Sequence, residues 1–257
     1  MCLKKIAVTF VLGSRGVLLC GAAHAQETPP QEPRPGSTWA AIEALPDWSG
    51  LWEVTFGGGF GGEQPALAGE YAARSEAYRA AQARGEIQDS PAANCVPNGM
   101  PGIMTQPYPI EFLFTPGKVT ILIEAYGQWR QIFTDGRMHP ESPDLTFNGH
   151  SIGHWEGDTL VVDTVGFTTD TALGMSFGQR HSDKMRIVER MRLAGPDTLE
   201  IATTVHDPEA LSKPWTTTRV YGRHRDWNLA EYICQQNNRN FMTDDGKAGI
   251  DLTRDEE

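Results

Sequence analysis

The stretch from Gly149 to Phe167 constrains this chain more than any other. Gly157-Asp158 separates two arms, and the second arm, from Thr159 to Val165, is dense in Val and Thr. A glycine-and-aspartate turn between such arms reads as a β-hairpin. Gly149, Gly153 and Gly157 argue against a helix over the same residues. Side chains on a strand point the same way every second residue, so His150, Ile152, His154 and Glu156 share one face. Two imidazoles and a carboxylate on one face suit proton transfer or polar recognition.

The spacing also restricts those groups. Strands rise about 3.3 Å per residue, which sets His150 and His154 about 13 Å apart. Zinc holds its ligands at about 2.0–2.3 Å, so this pair cannot share one ion on a regular strand. If Gly157-Asp158 forms a two-residue loop, Ile152 falls opposite Asp163. The Asp163 carboxylate then lies diagonally between the two imidazoles, within reach of either. A three-residue loop would put it on the other face.

The rest of the chain continues the β pattern. Residues 47–56 read as a first strand, after a short helical turn around Trp39–Leu45. Leu67, Tyr71, Tyr78 and Ala81 recur at helical spacing between residues 66 and 84, predicting one amphipathic helix. Glu111–Phe114 and Val119–Ala125 flank Pro116-Gly117, whose residue types suit the centre of a type II turn. Gln128–Thr134 follows, then the hairpin, then Lys184–Leu193 and Thr198–His206 around Gly195-Pro196-Asp197. Trp215–Arg223 and Leu229–Cys234 complete about ten short strands. Strands at this spacing, with turn signals between them, indicate an antiparallel barrel or sandwich.

The ends bound the compartment. Lys4 and Lys5, two apolar runs and Ala23-His24-Ala25 have the order of a secretory signal peptide over residues 1–25. Its removal makes the mature chain three charges more acidic than the −11 of the whole. Such a surface disfavours nucleic acid and anionic membrane as partners. No later segment reaches the roughly 20 apolar residues of a membrane span. A periplasmic or secreted product is therefore expected. Residues 26–46 form a flexible lead-in carrying the helical turn, 47–240 a single barrel domain, and 241–257 a mobile acidic tail. Of four cysteines, Cys95 and Cys234 survive processing, and an even pair in an oxidising compartment is a disulfide candidate. Two buried thiols are the alternative.

Gly50-Leu51-Trp52, after a helical turn and before a long meander, resembles the G-x-W opening of lipocalins and related calycin barrels. That resemblance implies a closed barrel holding a small, largely apolar ligand. The chain departs from it in the helix and Cys95 loop between the first two strands, and in lacking a final helix. More closely, the chain resembles a family of uncharacterised secreted bacterial proteins. The matching stretches are Pro107–Phe112, Thr134–Pro140, the histidine hairpin, His181-Ser182-Asp183 and Glu231–Cys234. This resemblance transfers no activity.

Three polar groupings are candidates for chemistry. His150, His154 and Asp163 belong to the hairpin. His181 and Asp183 share a face if extended, and an imidazole steered by a carboxylate suits general acid–base work. Asp135, Arg137 and His139 lie in one turn, where Arg137 either clamps a substrate carboxylate or bridges Asp135. The expected reading is a barrel that binds a small apolar or aromatic molecule and transforms it by cofactor-independent lyase or isomerase chemistry. Its catalytic groups would be His154, Asp163, His181 and Asp183 in one interior site, with His150, Trp129, Tyr126 and Arg137 binding substrate. A non-catalytic carrier is the first alternative. A metal-dependent hydrolase using His154, Glu156 and His181 is the second. No metal site or cofactor motif is expected.

Overall fold

The computed structural model describes residues 34–55, 63–86, 95–174 and 178–234, together with the strands Asn240–Met242 and Ala248–Ile250. The expected signal peptide and most of the acidic tail lie outside the described residues.

Local chemistry sets the first elements. Helix α1, Trp39–Glu43, starts where the Thr38 hydroxyl accepts a hydrogen bond from the Ala41 amide at 3.1 Å, an N-cap that satisfies a free helix-end donor. Strand β1 is Leu51–Val54. The expected helix is α2, Gly69–Ala83. Eight further strands follow: β2 Ile110–Thr115, β3 Lys118–Ile123, β4 Gln128–Phe133, β5 His150–Glu156, β6 Thr159–Val165, β7 Arg186–Gly195, β8 Thr198–His206 and β9 Trp215–His224. Gly117 joins β2 to β3 with φ +74°, as the third residue of a type II turn requires. Leu229–Cys234, expected as a strand, runs as irregular chain instead. β10 (240–242) and β11 (248–250) form a separate two-stranded sheet.

The nine strands close into one barrel in sequence order, β9 returning to pair with β1. Strand direction alternates at every seam except β4–β5, which is parallel. An odd number of strands makes that exception unavoidable: direction cannot alternate nine times around a ring and match at closure. The expected all-antiparallel barrel is corrected in this one seam. A parallel pair cannot be joined by a tight turn, so the chain crosses back over residues 134–149 before β5 begins. The seam is short, with only Ile132↔Ser151 and Phe133↔Ile152 in register.

Inward-facing positions on consecutive strands build the core. Trp52, Ile121, Ile132, Leu160, Met191 and Leu199 are all 3% exposed or less. Two fully buried charges also point inward, Arg130 on β4 and Glu189 on β7, with side chains 1% and 0% exposed. They meet across the lumen at 2.5 Å. Arg130 also donates to the Ser151 hydroxyl at 3.1 Å and the Thr164 hydroxyl at 2.7 Å. In so dry a place the pairing is obligatory, because either charge alone would carry its full desolvation cost.

Cys95 and Cys234 form a disulfide with Cα atoms 5.7 Å apart. It ties the segment before β2 to the chain beyond β9. Among the described residues, no helix is long and apolar enough to cross a membrane.

Candidate functional site

The lumen opens at one end into a cavity of about 250 Å³. Its wall comes from the inner faces of β8 and β9, where Ile201 pairs with Arg219 and Thr203 with Thr217. Its roof is the segment around Met100 and Met104, with Leu173 and Gln179 beside them. Several bonds hold the roof down. The Tyr221 hydroxyl donates to the Met104 carbonyl, and the Met100 amide donates to the Phe147 carbonyl at 2.8 Å. Gln179 donates to Gln64 at 3.1 Å across the rim. Gly99 lets the roof lie this close: its φ is +63°, and a Cβ there would sit 2.3 Å from Thr171 and 2.6 Å from the Phe147 carbonyl. Burial, with the Glu189 charge next in importance, pushes the Tyr221 phenol far above its usual range, so it acts only as a neutral donor.

The lining mixes thioether, aliphatic and aromatic surface, including Trp215, with hydroxyl, amide and guanidinium groups and one carboxylate, Glu63. This is the composition of a small-molecule site, an apolar body with few orienting polar groups. The volume exceeds the ~150 Å³ of an apolar cavity able to take benzene. No histidine lines it among the described residues.

The sequence-predicted residues lie elsewhere and do not form one interior site. The two-residue hairpin loop is correct, with Glu156 opposite Thr159 and Ile152 opposite Asp163. The shared face of His150, Ile152, His154 and Glu156 is also correct, but it is the outer face. Ser151 is the fully buried neighbour, and a Cβ on Gly153 would meet Ile132 at 2.7 Å. His154 has a side chain 65% exposed and contacts Glu156 at 3.2 Å. The Glu156 carboxyl is held below its usual range, chiefly by Arg190 and then by His154.

His181 is buried in the loop between β6 and β7, far from solvent. Its Nδ1 donates to the Ser182 carbonyl at 2.8 Å, and its Nε2 meets the Thr171 hydroxyl at 2.6 Å. Burial lowers its pKa, so the ring is neutral. Asp183, expected as its partner, is exposed and paired with Lys184 at 3.1 Å. The carboxylate that organises this loop is Asp207, which accepts the Ser182 amide and hydroxyl, each at 2.7 Å, and the Ala210 amide at 2.9 Å. These are turn-stabilising bonds.

Arg137 bridges Asp135, as the second expectation for that turn had it, and its guanidinium lies 3.8 Å from the Phe133 ring centroid. Tyr126 belongs to a tyrosine cluster, its ring 5.1 Å from that of Tyr232, beside the disulfide. Burial there raises Tyr232 to about 12. Trp129 is an exposed outward residue of β4.

Asp163 and His150 do meet, through His139, which the sequence groups with Asp135 and Arg137 rather than with the hairpin. His139 reaches His150, Nδ1 to Nδ1, at 2.9 Å, and its Nε2 lies 3.8 Å from Asp163. Arg186 grips Asp163 with two bonds of 2.8 and 2.6 Å. No protein family, curated protein or solved structure matches this chain.

Proposed function

We propose that this chain is an exported barrel that binds a small, largely apolar or aromatic molecule in the cavity at the end of its lumen. The observation that carries the reading is the cavity itself, walled by β8 and β9 and roofed by Met100, Met104 and Leu173. Thr203, Thr217 and Gln179 supply orienting hydrogen bonds to a polar substituent. The disulfide accords with an oxidising compartment, as does the signal-like N-terminus. A carrier is favoured over a lyase or isomerase for this cavity. Neither His154 nor His181 borders it, and the carboxylate that does, Glu63, is paired with Lys213 rather than held as a free base.

The test is titration with 8-anilinonaphthalene-1-sulfonate, followed by displacement with a panel of small aromatic and aliphatic compounds. Wild type is expected to bind one probe per chain. Thr217→Trp, which fills the cavity from β9, is expected to bind at least roughly tenfold more weakly, with Thr203→Phe as an independent filling variant. Stoichiometric binding unchanged in both folded variants would move the ligand out of this cavity. Absence of any saturable binding by wild type would refute the reading.

A further inference from the structure

We propose that the outer wall of the barrel carries a second, separate site: a hydrogen-bonded imidazole pair, His139–His150, polarised by the nearby Asp163 carboxylate, with His150 presented to a small ring-bearing molecule held under the crossover. A cavity of about 600 Å³ lies there, between β4 and residues 140–149. Trp129, Phe133, Phe147 and Asn148 line it, and so does His150. It is distinct from the lumen cavity and shares no lining residue with it.

The geometry dictates which nitrogen does what. The imidazole centroids of His139 and His150 are 5.2 Å apart while their Nδ1 atoms are 2.9 Å apart. That centroid separation belongs to two nitrogens pointing straight at one another. Rings converging on a shared ion would bring their centroids closer at the same nitrogen distance. The contact is thus an N–H···N hydrogen bond and one ring holds its proton. The Asp163 carboxylate lies 3.8 Å from His139 Nε2, a buried nitrogen without a hydrogen-bond partner. A negative charge at that distance favours the proton on His139 Nε2. His139 Nδ1 is then the acceptor, His150 Nδ1–H the donor, and His150 Nε2 keeps a free lone pair.

The rings are also held in place. Phe133 stacks on His150 with centroids 5.5 Å apart and planes 28° from parallel. Arg186 fixes both oxygens of Asp163. Burial is the main cause that keeps both imidazoles below the usual histidine pKa; Arg186 and Arg137 add to it, and Asp163 opposes it at His139. The pair is therefore an uncharged base at neutral pH, the state a general base needs.

For an activated ester the step is simple. His150 Nε2 takes a proton from water as the water oxygen attacks the acyl carbon; the bond from that carbon to the leaving oxygen breaks with its electron pair, releasing a phenolate and the free acid, and His150 gives the captured proton to solvent. His150 is the catalytic residue of this proposal, and His139 and Asp163 position it.

The experiment uses the full mature chain and 4-nitrophenyl acetate, with the near-ultraviolet circular dichroism of each variant as a fold check. Wild type is expected to exceed free imidazole per histidine, and His150→Gln to lose roughly tenfold or more. His154→Gln, on the same outer face, is expected to retain the wild-type rate. The rate should persist below pH 6.5, the free histidine value, and Asp163→Asn should shift its midpoint further down. Nitrogen-15 imidazole spectra of wild type are expected to place the His139 proton on Nε2 and the His150 proton on Nδ1. A wild-type rate no greater than free imidazole, equal rates in wild type and His150→Gln, or a His139 proton on Nδ1 would each overturn the proposal.

Discussion

Glu189→Leu should be one of the most damaging single substitutions in the barrel. Leucine approximates the volume of glutamate, so packing is nearly kept, but Arg130 loses its counter-ion. What remains for that guanidinium is the Ser151 and Thr164 hydroxyls, and its Nη1 already has no hydrogen-bond partner. With 1% exposure it cannot turn to water, and an arginine cannot shed its charge. Removing one member of a buried pair costs about 3–5 kcal/mol. At about 2–4 °C per kcal/mol for a domain of this size, the midpoint should fall by roughly 6–20 °C. Arg130→Met should cost less, because a stranded carboxylate can take up a proton. The double variant Arg130→Met/Glu189→Leu should return to within about 1–2 kcal/mol of wild type, since neither charge is left stranded. Urea unfolding followed by the fluorescence of the buried Trp48 and Trp52 reads all four proteins. A loss under about 1 kcal/mol in Glu189→Leu, or a double variant as weak as the summed singles, would refute this reasoning.

Two further expectations concern the caps of the barrel. The His181 pKa is lowered by burial from its ordinary 6.5, so the unfolded chain takes up that proton first. The neutral ring's contribution is complete above about pH 6.5 and is lost as pH falls through the folded value; for one proton the slope cannot exceed about 1.4 kcal/mol per pH unit. Urea midpoints should fall between pH 7.5 and 5 in wild type and less steeply in His181→Gln, and equal slopes would show that another group titrates. Denatured, unreduced protein should expose no thiol from Cys95 or Cys234. Their separation of 139 residues implies that reduction costs up to about 4–5 kcal/mol, measured as the urea midpoint with and without reductant; free thiols, or an unmoved midpoint, would remove the tie.

Much of the barrel was legible because strand periodicity and turn chemistry are local. Pro116-Gly117 and Gly157-Asp158 mark their turns, and β8 begins and ends at the expected residues, Thr198 and His206. What local pattern cannot state is which face of a strand turns inward. On β5 the polar, titratable face is outside, and Ser151 and Gly153 are inside because Arg130 and Ile132 of β4 occupy the space. On β4 the assignment inverts intuition, with Trp129 outward and Arg130 inward. The usable signal was the partner charge, Glu189, flanked at i±2 by Ile187 and Met191, both fully buried. The sequence groups His139 with Asp135 and Arg137 and not with His150, because that pairing depends on the crossover folding back over β5. A contact between a loop and a strand 11 residues on leaves no period in the sequence. An interior cavity was expected, but its threonine lining was not legible, for a related reason: Thr203 and Thr217 read as ordinary strand residues until β8 and β9 are curled into a wall.

The ring that β9 completes also dictates when folding can finish. Leu51 of β1 pairs with His224, so the closing seam joins segments from opposite ends of the domain, whereas every other seam links neighbours in sequence. Contacts of such long range are made late, because the intervening loop must first be ordered. A chain emerging N-terminus first exposes β1, only four residues long, with no partner on one flank until nearly all of the domain has appeared. Until then β1 and the finished sheet both present open edges, the templates on which strands of other chains add. Aggregation during synthesis should thus be governed by this last seam, and a holding chaperone that masks β1 would guard the most exposed interval in the life of the protein.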